Sequence, residues 1–345
     1  MAKVDGSISI SLYCAKSMLP QLEAIKGNTQ KILNRKNEED IHDLRVATRR
    51  IRTVLDIFQD QLPAKKIKPW LKGMRDITKS YGSIRDLDVQ IIALDKIYQQ
   101  IDDLKIRRGL NRIRLRIKQN RGKKQEKTQQ LTSTILKSTI TIEMLAWAEA
   151  TLESGANIEN QYSQDLFQLA NQRIQSRLDE FLFFEVFIFD PDRIKELHQM
   201  RISAKRLRYA LEVFTELYAG KTDFALNISR EVQEYLGKIH DADFWIDFLP
   251  RFAQKELSRI HDFYGYNRPF KQITPGIDFL LDNRKKERET LYNAFINDWK
   301  NWKLKETWLS LRKVIFLSSM EIMQDKNNSH KPASESGNKT QSLDA

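Results

Sequence analysis

The chain has 345 residues, 41% of them apolar, and 58 Lys and Arg against 46 Asp and Glu give a formal net charge of +12. That length can bury a substantial core in one large domain or two smaller ones. The single cysteine, Cys14, excludes an internal disulfide framework and any cysteine-cluster zinc site.

No apolar run reaches membrane-spanning length and the N-terminus does not read as a secretory leader, so a cytoplasmic protein is expected. The excess of positive charge is clustered rather than spread, which points to a polyanionic partner: nucleic acid, an anionic membrane or polymeric phosphate. Only 12 Gly and 8 Pro punctuate the chain. Its apolar residues recur at three- and four-residue intervals, so the expected fold is all-α with long helices.

In chain order, the first informative element is the helix containing His42-Asp-Leu-Arg-Val-Ala-Thr-Arg-Arg-Ile-Arg-Thr-Val-Leu-Asp-Ile-Phe58. At about 100° per residue, His42, Arg45, Arg49 and Arg52 fall within an arc of roughly 80°. Leu44, Ala47, Ile51, Leu55 and Phe58 take the opposite, core-facing side. Arg50 lies apart, nearer the core boundary, where its stem can pack while the guanidinium reaches round. Asn34 reads as the N-cap.

A second element runs from Met74-Arg75 to Ile84-Arg85-Asp86-Leu87-Asp88. Between Lys105 and Lys127 the chain holds eleven Lys or Arg and one acid, a local charge of +10. There Arg112 and Arg116 share a face with other cations, which either forms a solvated helix or awaits an anion. The segment Phe181–Phe189 reads as a buried helix end or an apolar connection, with a strand as the minor alternative.

The first helix then recurs, 156 positions on, as His198-Gln-Met-Arg-Ile-Ser-Ala-Lys-Arg-Leu-Arg-Tyr-Ala-Leu-Glu-Val-Phe214. Here His198, Arg201, Lys205 and Arg208 repeat the cationic arc, Arg206 matches Arg50, and Tyr209 joins the cationic face. Asp190-Pro191 reads as its N-cap and first turn. Ser229-Arg230 to Ile239-His240-Asp241-Ala242-Asp243 repeats the second element at an offset of 155, with Gly82 and Gly237-Lys238 just ahead of each acidic pair.

Arg284, Lys285, Lys286 and Arg288 are a thinner version of the basic stretch. Trp299, Trp302 and Trp308 read as core. The halves, about 8–155 and 160–318, should each hold about four helices and pack side by side. Residues 319–345 read as a polar, disordered tail.

Tandem His-x-x-Arg-x-x-x-(Arg/Lys)-Arg-x-Arg helices, each followed by Arg/His-Asp-x-Asp, resemble the conserved histidine α-helical domain (CHAD) family over most of residues 8–318. The resemblance implies two pseudo-symmetric four-helix bundles whose basic faces line a shared groove for inorganic polyphosphate. Ligand contacts would then fall on His42, Arg45, Arg49, Arg50 and Arg52, and on His198, Arg201, Lys205, Arg206 and Arg208. Arg75, Arg85, Arg112, Arg116, Tyr209, Lys238 and His240 complete the candidate set.

Guanidinium forks suit phosphate oxygens, which agrees with that implication. Amid so many arginines the histidines should be neutral, either donating to ligand or bridging within the bundle. The Asp-x-Asp pairs could hold a metal; residues two apart on a helix diverge, so a role in holding arginines is preferred.

The family often carries a triphosphate-tunnel catalytic domain, whose Glu-x-Glu-x-Lys strand signature is absent here. With 5 His, no Gly-rich phosphate loop and no nucleophile elbow, no enzyme activity, cofactor or metal is expected. Binding of polyphosphate, on granules in one reading, is the leading expectation. Nucleic acid is the alternative, disfavoured because aromatics are not interleaved with the cations.

Overall fold

The computed structural model describes residues 6–34, 38–62, 64–136, 138–155 and 162–329. Every regular element among them is helical. They are α1 (Gly6–Asn34), α2 (Glu38–Phe58), α3 (Ala64–Ser80), α4 (Gly82–Gln99), α5 (Leu104–Leu136), α6 (Thr139–Ser154), α7 (Gln164–Leu182), α8 (Ile194–Phe214), α9 (Asp223–Tyr264), α10 (Arg268–Lys271), α11 (Thr274–Leu304) and α12 (Thr307–Ser329). A short 3-10 helix, Phe183–Phe187, follows α7 and is the apolar connection that the sequence offered as one alternative to a strand.

The repeated helices α2 and α8 are each 21 residues long and end on Phe58 and Phe214. Their starts differ from expectation. Asn34 closes α1 rather than capping α2, which begins at Glu38. Asp190 lies in the turn before α8, where its Oδ1 accepts the Asp192 N–H at 3.0 Å and its carbonyl accepts the Arg193 N–H at 3.2 Å. Pro191 therefore shapes a turn, and Arg193 is the residue ahead of the helix. α12 runs to Ser329, into the stretch read as tail, and 330–345 lie outside the described residues.

The apolar stripes are buried as their spacing requires. Leu44, Ala47, Ile51, Leu55 and Phe58 face the core from α2, and Met200, Ala204, Leu207, Leu211 and Phe214 from α8. Rings of Phe58 and Phe214 meet at 6.0 Å, and Tyr13 of α1 lies against both. Each such aromatic contributes on the order of 1.5–3 kcal/mol by burial. Trp299, Trp302 and Trp308 are buried, the first and last around Phe181.

The main core draws side chains from both halves of the chain. A second cluster takes Ile91 and Leu94 from α4, Leu110, Ile113 and Ile117 from α5, Trp245, Leu249 and Phe252 from α9, and Ile277 and Leu280 from α11. Here the halves interlock. α5 crosses α11 at Gly109 and Gly276, so closely that a Cβ on Gly109 would fall 2.2 Å from the Ile273 carbonyl oxygen. Only glycine lets two helix backbones approach like this.

Candidate functional site

Packing of α2 beside α8 turns their polar faces into one cationic cluster. His42, Arg45, Arg49 and Arg52 on α2, and His198, Arg201, Lys205 and Arg208 on α8, are all partly buried. Arg49 is the hub. Its charge bears on His42, Arg45 and Arg52 of its own helix and on Arg201 and Lys205 of the other. Arg85 of α4 bears on His42 and Arg45, while Arg75 and Arg206 bear on Arg52.

Burial and like charge set the protonation of this cluster. Lys205 is pushed down to about 7, first by desolvation and then by Arg201, Arg49 and Arg208, with Asp241 opposing. Arg45, Arg52 and Arg201 are lowered chiefly by burial and remain cations. His42, His198 and His240 are all lowered, so the rings are neutral at pH 7. Desolvation is the first cause for each; Arg85 comes next for His42, Arg201 for His240, and His240 ahead of Arg201 and Lys205 for His198. His198 and His240 bridge to one another, Nδ1 to Nδ1 at 3.1 Å. One ring must donate and the other accept, which requires at least one to be uncharged.

Several donors here have no acceptor. Arg49 Nε, Arg85 Nη1 and Arg201 Nε are buried and make no hydrogen bond among the described residues. A buried unsatisfied donor costs roughly 1–3 kcal/mol, more when charged. These three lie in one cluster, beside Arg208 Nε, which faces Glu212 at 3.5 Å without a hydrogen bond.

The glycines ahead of the acidic pairs make room for this arrangement. A Cβ on Gly82 would sit 3.2 Å from Arg45 Nη1, and one on Gly237 would sit 3.6 Å from Arg201 Nε. Arg45 Nη1 also donates to the Thr78 carbonyl at 2.8 Å.

The acids divide their work. Asp86 lies near Arg45, and Asp241, raised by burial, lies near Arg201 and Lys205. Asp88 instead holds Arg121 of α5 at 2.8 Å, and Asp243 holds Arg288 of α11. Arg121 and Arg288 stand 167 residues apart, as do Gly109 and Gly276; the sequence reading set Arg288 in the thinner basic stretch but gave neither arginine a partner. α5 and α11 thus carry a matched glycine and arginine, and that pair of offsets is the signal that could have found them.

Other expected contacts lie elsewhere. Arg112 and Arg116 grip the fully buried Glu256 of α9, joined by Arg259. Lys238 pairs with Glu234 at 2.7 Å, and Arg206 pairs with Glu180. Tyr209 is buried beside the cationic cluster, its ring 4.6 Å from the Arg208 guanidinium and near enough to Arg201 to bear on it.

Arg50, Arg208 and Arg230 surround Glu212 at 3.5–3.7 Å. Arg50, Tyr209, Glu212 and Arg230 line a separate cavity of about 550 Å³. Glu39, His42 and Asp43, at the start of α2, bring potential metal-ligand atoms within 4.8 Å of one another. Exposed acids commonly gather so without an ion. No described helix is long and apolar enough to cross a membrane.

A search of curated proteins returns no match. Among solved structures, the chain is similar to the CHAD domain from the plant Ricinus communis, with 21% identity, a TM-score of 0.54, and coverage of 83% of this chain and 90% of that one. It is also similar to PptA from Streptomyces chartreusis, with 16% identity, a TM-score of 0.52, and coverage of 86% and 98%. At such identities the likeness concerns the fold. The family model for the CHAD domain matches residues 16–250, well over half the chain and all of α2, α4 and α8. The chain belongs to the CHAD domain family.

Proposed function

We propose that the protein binds linear inorganic polyphosphate in a basic groove between α2 and α8, and that it does so without catalysis. The observation that carries this reading is the set of buried, unpartnered guanidinium nitrogens on Arg49, Arg85 and Arg201, contributed from both halves of the chain. A polymer with about one charge per phosphate offers oxygens and no base edges, so a lane of forked donors suits it. His42, Arg45, Arg52, His198 and Lys205 extend the lane, and Arg75 and Arg206 lie where it would leave the cluster. The family resemblance implies the same ligand. A cytoplasmic protein seated on polyphosphate granules is the setting this reading favours.

Nucleic acid is the weaker reading. Stacking platforms for bases are wanted beside the cations, and Tyr209, the aromatic of the repeated helices closest to them, is buried against Arg208. A competition assay tests the choice. Long-chain polyphosphate should displace bound single-stranded RNA at far lower phosphate concentration than the reverse, with phosphate release at background throughout. Displacement in the opposite sense would give the cluster to nucleic acid, and steady polymer shortening would make the protein an enzyme.

A further inference from the structure

The end of α9 carries aromatic side chains that the core does not cover. Phe263 is 79% exposed, Tyr264 50% and Tyr266 54%, and their rings pack on one another at 4.7 and 5.9 Å. Soluble surfaces seldom gather large apolar groups in this way without a partner. The turn is built to project them. Gly265 takes φ +73°, and its N–H closes the helix on the His261 carbonyl at 2.8 Å. α10 then ties the tip down, with Phe270 and Ile273 packed on the second core cluster beside Ile106.

The Gly109–Gly276 crossing sets the first turn of α5 beside this tip and adds Leu104, 68% exposed. Lys105, Arg108, Lys255, Arg268 and Lys271 are exposed around it and form no ion pair among the described residues. Acids stand nearby too, among them Asp278, exposed near the start of α11. Asp103 is engaged by the Lys105 N–H at 2.7 Å, Asp262 faces Ser258 at 3.4 Å, Asp102 is exposed, and Glu256 is enclosed by three arginines. The end of α9 and α10 lie beyond the residues that match the family, while Leu104, Lys105 and Arg108 lie within them.

We propose that this end of the molecule is a peripheral membrane contact for an anionic bilayer. Phe263, Tyr264, Tyr266 and Leu104 enter the boundary between headgroups and acyl chains, and the surrounding Lys and Arg meet lipid phosphates. Aromatic rings with a polar edge favour that depth, and basic side chains close to an anionic surface add to the attraction. A single nucleic-acid strand fits less well, because Phe263 and Tyr264 stand edge to face at 79° and offer no row of parallel platforms. A second copy would bring one ring of unpaired cations against another.

The test is sedimentation of the full chain with vesicles of phosphatidylcholine mixed with phosphatidylglycerol, against phosphatidylcholine alone. Binding is expected on the mixed vesicles. It should drop at least about tenfold in Phe263→Ser/Tyr264→Ser/Tyr266→Ser, which keeps every charge. Arg268→Ala/Lys271→Ala should weaken it as well, whereas Arg49→Ala/Arg201→Ala should leave it in place, so that failure of the polyphosphate reading is seen separately. No binding by the wild type, or binding that the aromatic triple and the cation pair both leave unchanged, overturns the proposal. So does a triple variant that instead abolishes self-association or RNA binding.

Discussion

Gly109 and Gly276 face one another where α5 crosses α11, and a Cβ on either would fall 2.6–2.7 Å from the other's Cα. The obstacle is backbone, which cannot swing aside as a side-chain tip can. Gly109→Ala or Gly276→Ala should therefore destabilise the protein by about 1–3 kcal/mol as the helices are forced apart. Urea unfolding monitored by circular dichroism measures this as a lower midpoint. Gly27→Ala, where nothing lies within 4 Å, is the control and should be neutral or stabilising.

Arg49→Ala with Arg201→Ala should weaken polyphosphate binding at least about a hundredfold, since charge-assisted hydrogen bonds contribute on the order of 1.5–3 kcal/mol each. Fluorescence anisotropy with end-labelled polymer reads it. Lys65→Ala with Lys66→Ala removes two exposed cations on α3 and should change affinity little. The melting temperature of the arginine pair should hold or rise, because each substitution removes an unsatisfied buried donor and a like charge.

Salt should act steeply on the same equilibrium. By analogy with single-stranded nucleic acid, about six phosphate contacts give a slope of log affinity against log salt near −4. A slope shallower than about −1.5 would mean few ion pairs and a smaller ligand.

Lys205 supplies a pH signature. Free, it titrates at about 7; a bound polyanion returns its ammonium toward the ordinary lysine value. Binding then takes up a proton between these two limits, and affinity falls as pH rises through that window, by up to about tenfold per unit. The stability of the ligand-free protein moves the other way. Its folded pKa lies below the unfolded one, so the unfolded chain holds more protons across the same window and the fold gains stability as pH rises. Calorimetry in buffers of different ionisation enthalpy counts the proton, and Lys205→Met should abolish the uptake.

α2 and α8 were legible because they repeat an apolar stripe and a cationic arc together, and both stripes are buried. Their starts were misread because Asn34 and Asp190 have capping chemistry, while the backbone uses them to end α1 and to turn before α8. The correspondence of α5 with α11 was legible only as a thinner basic stretch, and its matched pairs, Gly109 with Gly276 and Arg121 with Arg288, escaped for a different reason. A close crossing asks for one glycine and one anchored arginine at a fixed spacing and leaves the other positions free. Arg112 and Arg116 find their acid 144 and 140 residues away on α9, a distance over which no local pattern speaks.

α9 is an unbroken helix from Asp223 to Tyr264. It carries His240 within the cationic cluster and ends at the aromatic tip. At about 1.5 Å per residue, the 24 steps from His240 to Tyr264 rise about 36 Å along the helix, which holds Pro250 on the way. Electrostatic screening in physiological salt acts over about 8 Å. Charge gathered at one end of the helix is therefore invisible at the other. On the two proposals above, a single chain would hold two separate polyanions apart, at a spacing set by the helix.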